Sequence, residues 1–81
     1  MNDIPSRVSA MMAEVFAVDG SVIRPDLQFG EIAQWDSIGH INLMLETEIR
    51  FGVDVPPDAI AELLSVGKIC TFLEGLEGRA Q

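Results

Sequence analysis

The sequence predicts an all-α fold: a small four-helix bundle of three longer helices and one short helix, with a long first loop. Two observations indicate this class, because apolar residues recur at helical spacing and no stretch alternates with period two for long enough to form a sheet. A third is size. With 81 residues, 48% of them apolar, the chain can form one domain with one core. We expect this single domain, residues 1–81, to be ordered over about 3–77 and frayed at 78–81.

The first helix should run from about Ile4 to Val18, because its apolar residues follow helical spacing and a proline is tolerated in the first turn. Asp19-Gly20 should end it. Residues 21–36 keep no period and are punctuated by proline and glycine, which indicates a long loop. Since such a loop is unusual in a compact domain, we expect its apolar side chains, Trp35 among them, to anchor it across the helices.

The second helix should span Ser37 to about Phe51 and stop at Gly52. Two prolines then hold the chain extended, and a short third helix should follow over about Asp58–Leu64. Ser65 should cap the last helix. The core should be lined by apolar residues from all four helices: Val8, Met11, Val15, Leu43, Met44, Phe51, Ile60, Leu63, Ile69 and Leu73.

Charge and composition limit the possible partners. The formal net charge is −8, from 13 acidic and 5 basic residues, which argues against nucleic acid or an anionic membrane and favours a basic protein surface. Solubility alone could also account for the acidity. No signal peptide and no apolar run long enough to cross a bilayer are visible, so we expect a cytoplasmic monomer. The single cysteine, Cys70, and the single histidine exclude an internal disulfide and a zinc site.

The most informative stretch is Trp35-Asp36-Ser37-Ile38, which directly precedes the long amphipathic helix. A serine in the first turn of a helix lies beside backbone N–H groups at the positive end of the helix dipole, where a phosphate ester is stabilised. A second interpretation is that Asp36 or Ser37 is only the N-cap, since both residue types cap helices well.

Catalysis by the chain itself does not fit these residues. A nucleophilic Ser37 would need a base held by a third group, and the only candidate, His40, has no orienting carboxylate that the sequence assigns. We expect His40 to be a helix-surface or first-turn side chain. The remaining carboxylates resemble solvated faces rather than a calcium loop. The sequence therefore predicts no catalytic residue and no metal site.

The chain resembles the acyl carrier proteins over nearly its whole length. The resemblance rests on residues 35–41 (Trp-Asp-Ser-Ile-Gly-His-Ile), on Leu43, on residues 51–56 (Phe-Gly-Val-Asp-Val-Pro) and on Val66-Gly67-x-Ile69. The signature of that family is Asp-Ser-Leu at the start of the second helix, and here Ile38 takes the position of the leucine.

The resemblance implies that Ser37 accepts 4′-phosphopantetheine from coenzyme A, through a separate phosphopantetheinyl transferase that uses a divalent metal. Asp36 matches the family residue that caps the helix and lies near that metal. Acyl groups would be held as thioesters on the arm and presented to acyl-loading and acyl-processing enzymes with basic or apolar docking surfaces. The alternative is an unmodified interaction module of the same fold, in which Ser37 is only a helix cap.

Departures from the family pattern suggest a specialised, stand-alone carrier of a fatty-acid, polyketide or related pathway. Gly39, Asn42 and Ile49 stand where housekeeping carriers commonly have acidic residues, and Thr47 replaces a usual core leucine. The Thr47 hydroxyl could bond to the carbonyl of Leu43. We therefore expect a shallower or more polar acyl pocket, suited to short or oxygenated cargo.

The second helix carries two apolar stripes on opposite sides of its helical wheel. One comprises Leu43, Met44, Thr47 and Phe51, and the other comprises Ile38, Ile41, Leu45 and Ile49. Periodicity alone favours burial of the isoleucine stripe, but the resemblance implies that this stripe faces partner enzymes. We follow the resemblance: Ile38, Leu45 and Ile49 should be exposed and Ile41 intermediate, forming a docking strip rimmed by Glu46 and Glu48.

Overall fold

The computed structural model describes the backbone of residues 3–79 and the side chains of residues 3–76. It confirms the predicted all-α fold, in which the first helix packs against the second and the fourth. The elements in chain order are α1 (Ile4–Phe16), a short 3-10 turn (Gly20–Val22), α2 (Ser37–Phe51), α3 (Pro57–Glu62) and α4 (Val66–Arg79).

α1 ends at Phe16, two residues before the predicted end at Val18. Ala17 adopts a left-handed conformation with φ 56° and ψ 47°, which breaks the helix without a glycine. The N–H of Val18 then donates to the carbonyl of Ala13 at 3.0 Å. Asp19 does not stop α1 but caps the 3-10 turn that follows.

α2 has the predicted limits, and its stop, Gly52, is left-handed with φ 64°. α3 starts one residue earlier and ends two residues earlier than expected. Proline fits the first position of a helix, so Pro57 is inside it, and Leu63 leaves the helical region with φ −82° and ψ 63°. The hydroxyl of Ser65 accepts the N–H of Lys68 at 3.1 Å, which confirms the predicted cap of α4.

The backbone of α4 is helical as far as Arg79, and the fraying expected for residues 78–81 stays a prediction. The rest of that predicted tail, Ala80 and Gln81, lies outside the described residues. In the part of the chain that the structure describes, no helix combines the length and hydrophobicity needed to span a bilayer.

The core lies between the long helices and contains most of the predicted residues. Val15, Phe51 and Ile60 are exceptions, because they are only partly buried and pack at its edge. Phe51 has the guanidinium of Arg7 4.3 Å from its ring centroid, so a surface cation covers one side of it. The buried apolar residues are Ile4, Val8, Met11, Met12, Phe16, Ile23, Leu27, Trp35, Leu43, Met44, Val55, Leu63, Val66, Ile69 and Leu73.

The long loop between α1 and α2 is fixed to the connection between α3 and α4. The carbonyl of Leu27 accepts the N–H of Val66 at 3.0 Å, and the N–H of Phe29 donates to the carbonyl of Leu64 at 2.8 Å. Leu27 and Trp35 are buried, as the anchoring hypothesis predicted. These contacts hold the loop, and therefore the residues directly before α2, in a fixed position.

Candidate functional site

Ser37 is the first residue of α2, and its side chain is exposed. The N-cap is Asp36, whose carboxylate accepts the N–H of Gly39 at 2.8 Å. Because Asp36 performs the capping, the helix does not need the hydroxyl of Ser37. The N–H groups of Ser37 and Ile38 have no acceptor within the helix, so the positive end of the dipole lies beside the hydroxyl. An anionic ester on Ser37 fits this environment.

Gly39 holds the end of the loop against the first turn of α2. A Cβ at this position would overlap the carbonyl oxygen of Gln34 and would lie 3.3 Å from the carboxylate of Asp36. Only glycine allows this close approach, which fixes the backbone on both sides of Ser37. Sequence reasoning treated Gly39 as a missing acidic residue and did not identify this role. A glycine in the first turn of a helix was the available signal.

His40 lies in the first turn of α2, one of the two predicted possibilities, but it is not on the surface, since only 6% of it is exposed. The indole Nε1–H of Trp35 donates to Nδ1 of His40 at 3.0 Å, so the imidazole proton belongs on Nε2. Nε2–H then donates to the carbonyl oxygen of Ile60 in α3 at 2.7 Å. A buried polar group left without its partner costs about 1–3 kcal/mol, so these bonds constrain the loop, α2 and α3 together.

The rings around Trp35 form a cluster on the inner side of the site. Phe16 and Phe29 lie with ring centroids 5.8 Å and 6.4 Å from that of Trp35, and the imidazole of His40 is 6.1 Å away. Trp35 itself is fully buried. It therefore serves as the predicted loop anchor, and it supports the turn that carries Ser37.

The outer side of α2 is apolar and faces solvent. We call Ile38, Ile41, Leu45 and Ile49 the outer strip; their exposed fractions are 74%, 55%, 53% and 74%. The expected exposure of three of them is confirmed. Ile41, expected to be intermediate, is exposed as well, because it lies on the same side of the helix as Leu45. A continuous exposed apolar patch on a small domain is typical of an interaction surface.

The two predicted rim residues, Glu46 and Glu48, are engaged in contacts within the protein. Glu46 accepts from Nε of Arg50 at 2.9 Å, and Glu14 contacts the same guanidinium at 2.8 Å. The hydrogen bonds that Arg50 donates to Glu46 and Glu14 raise the pKa of its guanidinium. Glu48 accepts the N–H of Val55 at 2.9 Å and so ties α2 to the segment before α3. Both carboxylates are half-buried. Glu46 is therefore charge-paired with Arg50, whereas Glu48 keeps its negative charge and points toward the segment before α3.

Thr47 lies on the opposite, inner side of α2 and is fully buried. Its hydroxyl donates to the carbonyl of Leu43 at 2.7 Å, as predicted, and lies 3.7 Å from the sulfur of Met11. The hydroxyl is therefore satisfied locally, and the replacement of a core leucine leaves no unpaired polar atom here.

Other reactive groups lie away from Ser37. Cys70 is half-buried, and burial, followed by the charges of Glu74 and Asp3, raises the pKa of its thiol, which disfavours the nucleophilic thiolate. Among residues 3–76, no three His, Cys, Asp or Glu side chains are grouped so as to hold a metal ion. The site thus consists of an exposed hydroxyl on a rigid turn, beside an exposed apolar strip.

Comparison with known proteins agrees with this geometry. Residues 6–73 match the family described as a phosphopantetheine attachment site. The chain is 30% identical over 71 residues to an acyl carrier protein of Rickettsia canadensis, with 88% of this chain and 83% of the relative covered.

Two further relatives are meromycolate extension acyl carrier proteins. Identity is 28% over 75 residues for that of Mycobacterium leprae and 27% over 75 residues for that of Mycobacterium bovis. In both cases 93% of this chain is covered, and the chain spans 65% of the relative's length. These relatives are carriers rather than catalysts. The chain therefore belongs to the acyl carrier protein family, whose cofactor is a covalently attached 4′-phosphopantetheine.

Proposed function

We propose that this chain is an acyl carrier in which Ser37 bears the 4′-phosphopantetheine arm. The proposal rests on the arrangement at the start of α2. Asp36 caps the helix, so the neighbouring hydroxyl of Ser37 is exposed and is not needed for capping. Ser37 also lies within the matched range of residues 6–73. When bound, the arm supplies a terminal thiol that can hold an acyl group as a thioester.

The attachment is a phosphoryl-group transfer that needs a separate enzyme. The Oγ of Ser37 attacks the phosphorus next to the pantetheine of coenzyme A, the new Oγ–P bond forms, and the bond to the nucleotide half breaks. The hydroxyl proton passes to a base of the transferase, because His40 is buried and both its ring nitrogens are engaged. One carboxylate oxygen of Asp36 accepts the N–H of Gly39, and the other would be available to the divalent metal that the transferase would supply.

The outer strip is the proposed docking surface for the transferase and for acyl-loading and acyl-processing enzymes. Ile38 directly follows Ser37, so a partner seated on the strip has the arm within reach. Because the strip consists of exposed apolar side chains and Glu46 is paired with Arg50, we expect apolar contact to dominate docking and added salt to weaken it only mildly. The departures from the housekeeping pattern support a dedicated carrier for one specialised pathway.

Intact mass measurement tests the attachment site. After incubation with coenzyme A and a broad-specificity phosphopantetheinyl transferase, the protein should gain the mass of one phosphopantetheine. Ser37→Ala should gain nothing, while its circular dichroism and unfolding midpoint stay close to those of the parent because Asp36 still caps α2. Ser21→Ala, at another exposed serine, is the matched control and should load fully.

Two results would contradict the proposal. An unmodified parent protein under conditions that load a reference carrier would favour the unmodified interaction module. Full loading of Ser37→Ala would place the arm on another residue.

A further inference from the structure

The hydrogen-bonded chain Trp35–His40–Ile60 crosses from the loop through α2 to α3, on the inner side of Ser37. We propose that this chain, here called the latch, keeps α3 closed against α2, so that cargo on Ser37 stays outside the fold. The cargo class that suits such a carrier is a short or polar acyl group. His40 is then the residue that determines this specificity. The inference rests on the proposed function, since it requires an arm on Ser37.

The position of His40 makes it the first obstacle for an arm that turns inward. Ser37 and His40 are three residues apart on α2, so they are neighbours on its surface, yet Ser37 is exposed and His40 is buried. Behind the imidazole lies the fully buried Trp35, with the ring of Phe29 5.6 Å from that of His40. The buried rings of Trp35 and His40 therefore already occupy the interior beside the attachment site, and the more exposed ring of Phe29 lies at its edge.

The chemistry of the latch opposes an apolar occupant in particular. To pass between α2 and α3, an acyl chain must separate Nε2 of His40 from the carbonyl of Ile60, and a saturated chain offers neither group a replacement partner. Within the described residues, no buried side-chain nitrogen or oxygen lacks a partner. A short or hydroxylated acyl group has little apolar surface to gain from burial, so it remains on the solvent side.

α3 is also held at both of its ends, and the latch adds a hydrogen bond in its middle, where Ala59 and Ile60 pack at the edge of the core. Before α3, the N–H of Val55 donates to Glu48 at 2.9 Å. After it, the carbonyl of Leu64 accepts from Phe29 at 2.8 Å. The six-residue helix itself has no side-chain N-cap. Displacing α3 for a long acyl chain would thus require the hydrogen bond to Ile60 to break while both flanks stay fixed.

The test compares acetyl and octanoyl thioesters on Ser37, loaded from the acyl-coenzyme A compounds by the transferase. Cleavage by hydroxylamine is timed for each and divided by the rate for the same free acyl-pantetheine. In the parent protein these corrected rates should agree within about twofold, because neither chain is sheltered. In His40→Leu, which keeps the volume but removes both hydrogen bonds, octanoyl cleavage should slow by about tenfold relative to acetyl.

Fluorescence of Trp35, the single tryptophan, gives a readout that does not depend on the thioester. Octanoyl loading should leave its emission unchanged in the parent and shift it in His40→Leu. Asn42→Ala, an exposed substitution on the same helix, should behave like the parent in both measurements. If His40→Leu does not fold, Trp35→Phe removes the donor to His40, and methyl shifts of the buried Met11 and Met44 replace the fluorescence signal.

Protection of octanoyl over acetyl in the parent protein would overturn the proposal, and this comparison needs no variant. Equal cleavage in the parent and in both latch variants would overturn the assignment to His40. Failure to load any arm on Ser37 would instead refute the proposed function, so the two failures can be told apart.

Discussion

The two sides of α2 have similar apolar composition and opposite environments. Leu43 and Met44 on the inner side are almost completely buried, whereas Leu45 and Ile49 on the outer side are 53% and 74% exposed. Helical periodicity cannot tell which side of α2 is buried, since the apolar residues of both sides recur at helical spacing. The difference shows that burial in a small bundle depends on which side α1 and the long loop cover. The uncovered apolar side is then available for partners.

The largest expected effect is on the free energy of unfolding, which should differ between substitutions on the inner and the outer side of α2. Leu43→Ala should lower the free energy of unfolding by about 2–5 kcal/mol, because it leaves a cavity in a fully buried position. Leu45→Ala, the same change two residues along, should alter it by less than about 0.5 kcal/mol. Urea denaturation of both variants gives the comparison. Equal losses would mean that the outer strip contributes to the core.

Gly39→Ala tests whether close packing of the loop against Gly39 fixes the start of α2. Although alanine normally favours a helix, a Cβ here would overlap the carbonyl of Gln34, so we expect a loss of about 1–3 kcal/mol. Gly75→Ala, in α4 with no atom within 4 Å of the added Cβ, should instead gain about 0.5–1 kcal/mol. Thermal or urea unfolding measures both variants. A neutral Gly39→Ala would show that the loop can move away from α2.

Ile49→Glu should affect binding rather than folding. Its charge would enter the apolar contact at the end of the outer strip that lies farthest along α2 from Ser37, so the affinity for the transferase should fall about tenfold, while stability changes by less than about 0.5 kcal/mol. Thr71→Glu adds the same charge at an exposed position of α4 and should bind normally. Titration calorimetry at low and high salt measures both. Unchanged affinity of Ile49→Glu would remove the outer strip as the docking surface.

The smallest expected effect concerns Asp3, which caps α1, the helix that covers the inner side of α2. Hydrogen bonds from the side chain and the backbone N–H of Ser6 lower the pKa of Asp3 below its ordinary value of 3.8. Because the pKa of Asp3 is lower in the folded than in the unfolded protein, the stabilisation by this cap is fully present above about 3.8, the ordinary pKa. It is lost as the pH falls through the lower pKa of the folded state. Stability measured between pH 5 and 2 should therefore fall slightly less in Asp3→Asn than in the parent. An identical pH profile would exclude a contribution from this cap.

Features that depend on neighbours along the chain could be read from the sequence. The limits of α2, the Ser65 cap and the bond from Thr47 to Leu43 each involve residues within one or two helical turns. The exposed hydroxyl of Ser37 followed from the same local logic, because an Asp-Ser pair at a helix start can assign capping to one residue and leave the other free.

Only the tertiary structure decided which groups meet across the fold. The partner of His40 is 20 residues away in α3, Gly39 is constrained by a loop carbonyl, and Glu48 turns toward Val55 instead of the outer strip. Sequence patterns place a residue on a side of its helix but do not say what packs there. Buried polar groups need specific partners, and the choice of partner is made when loop and helices pack together.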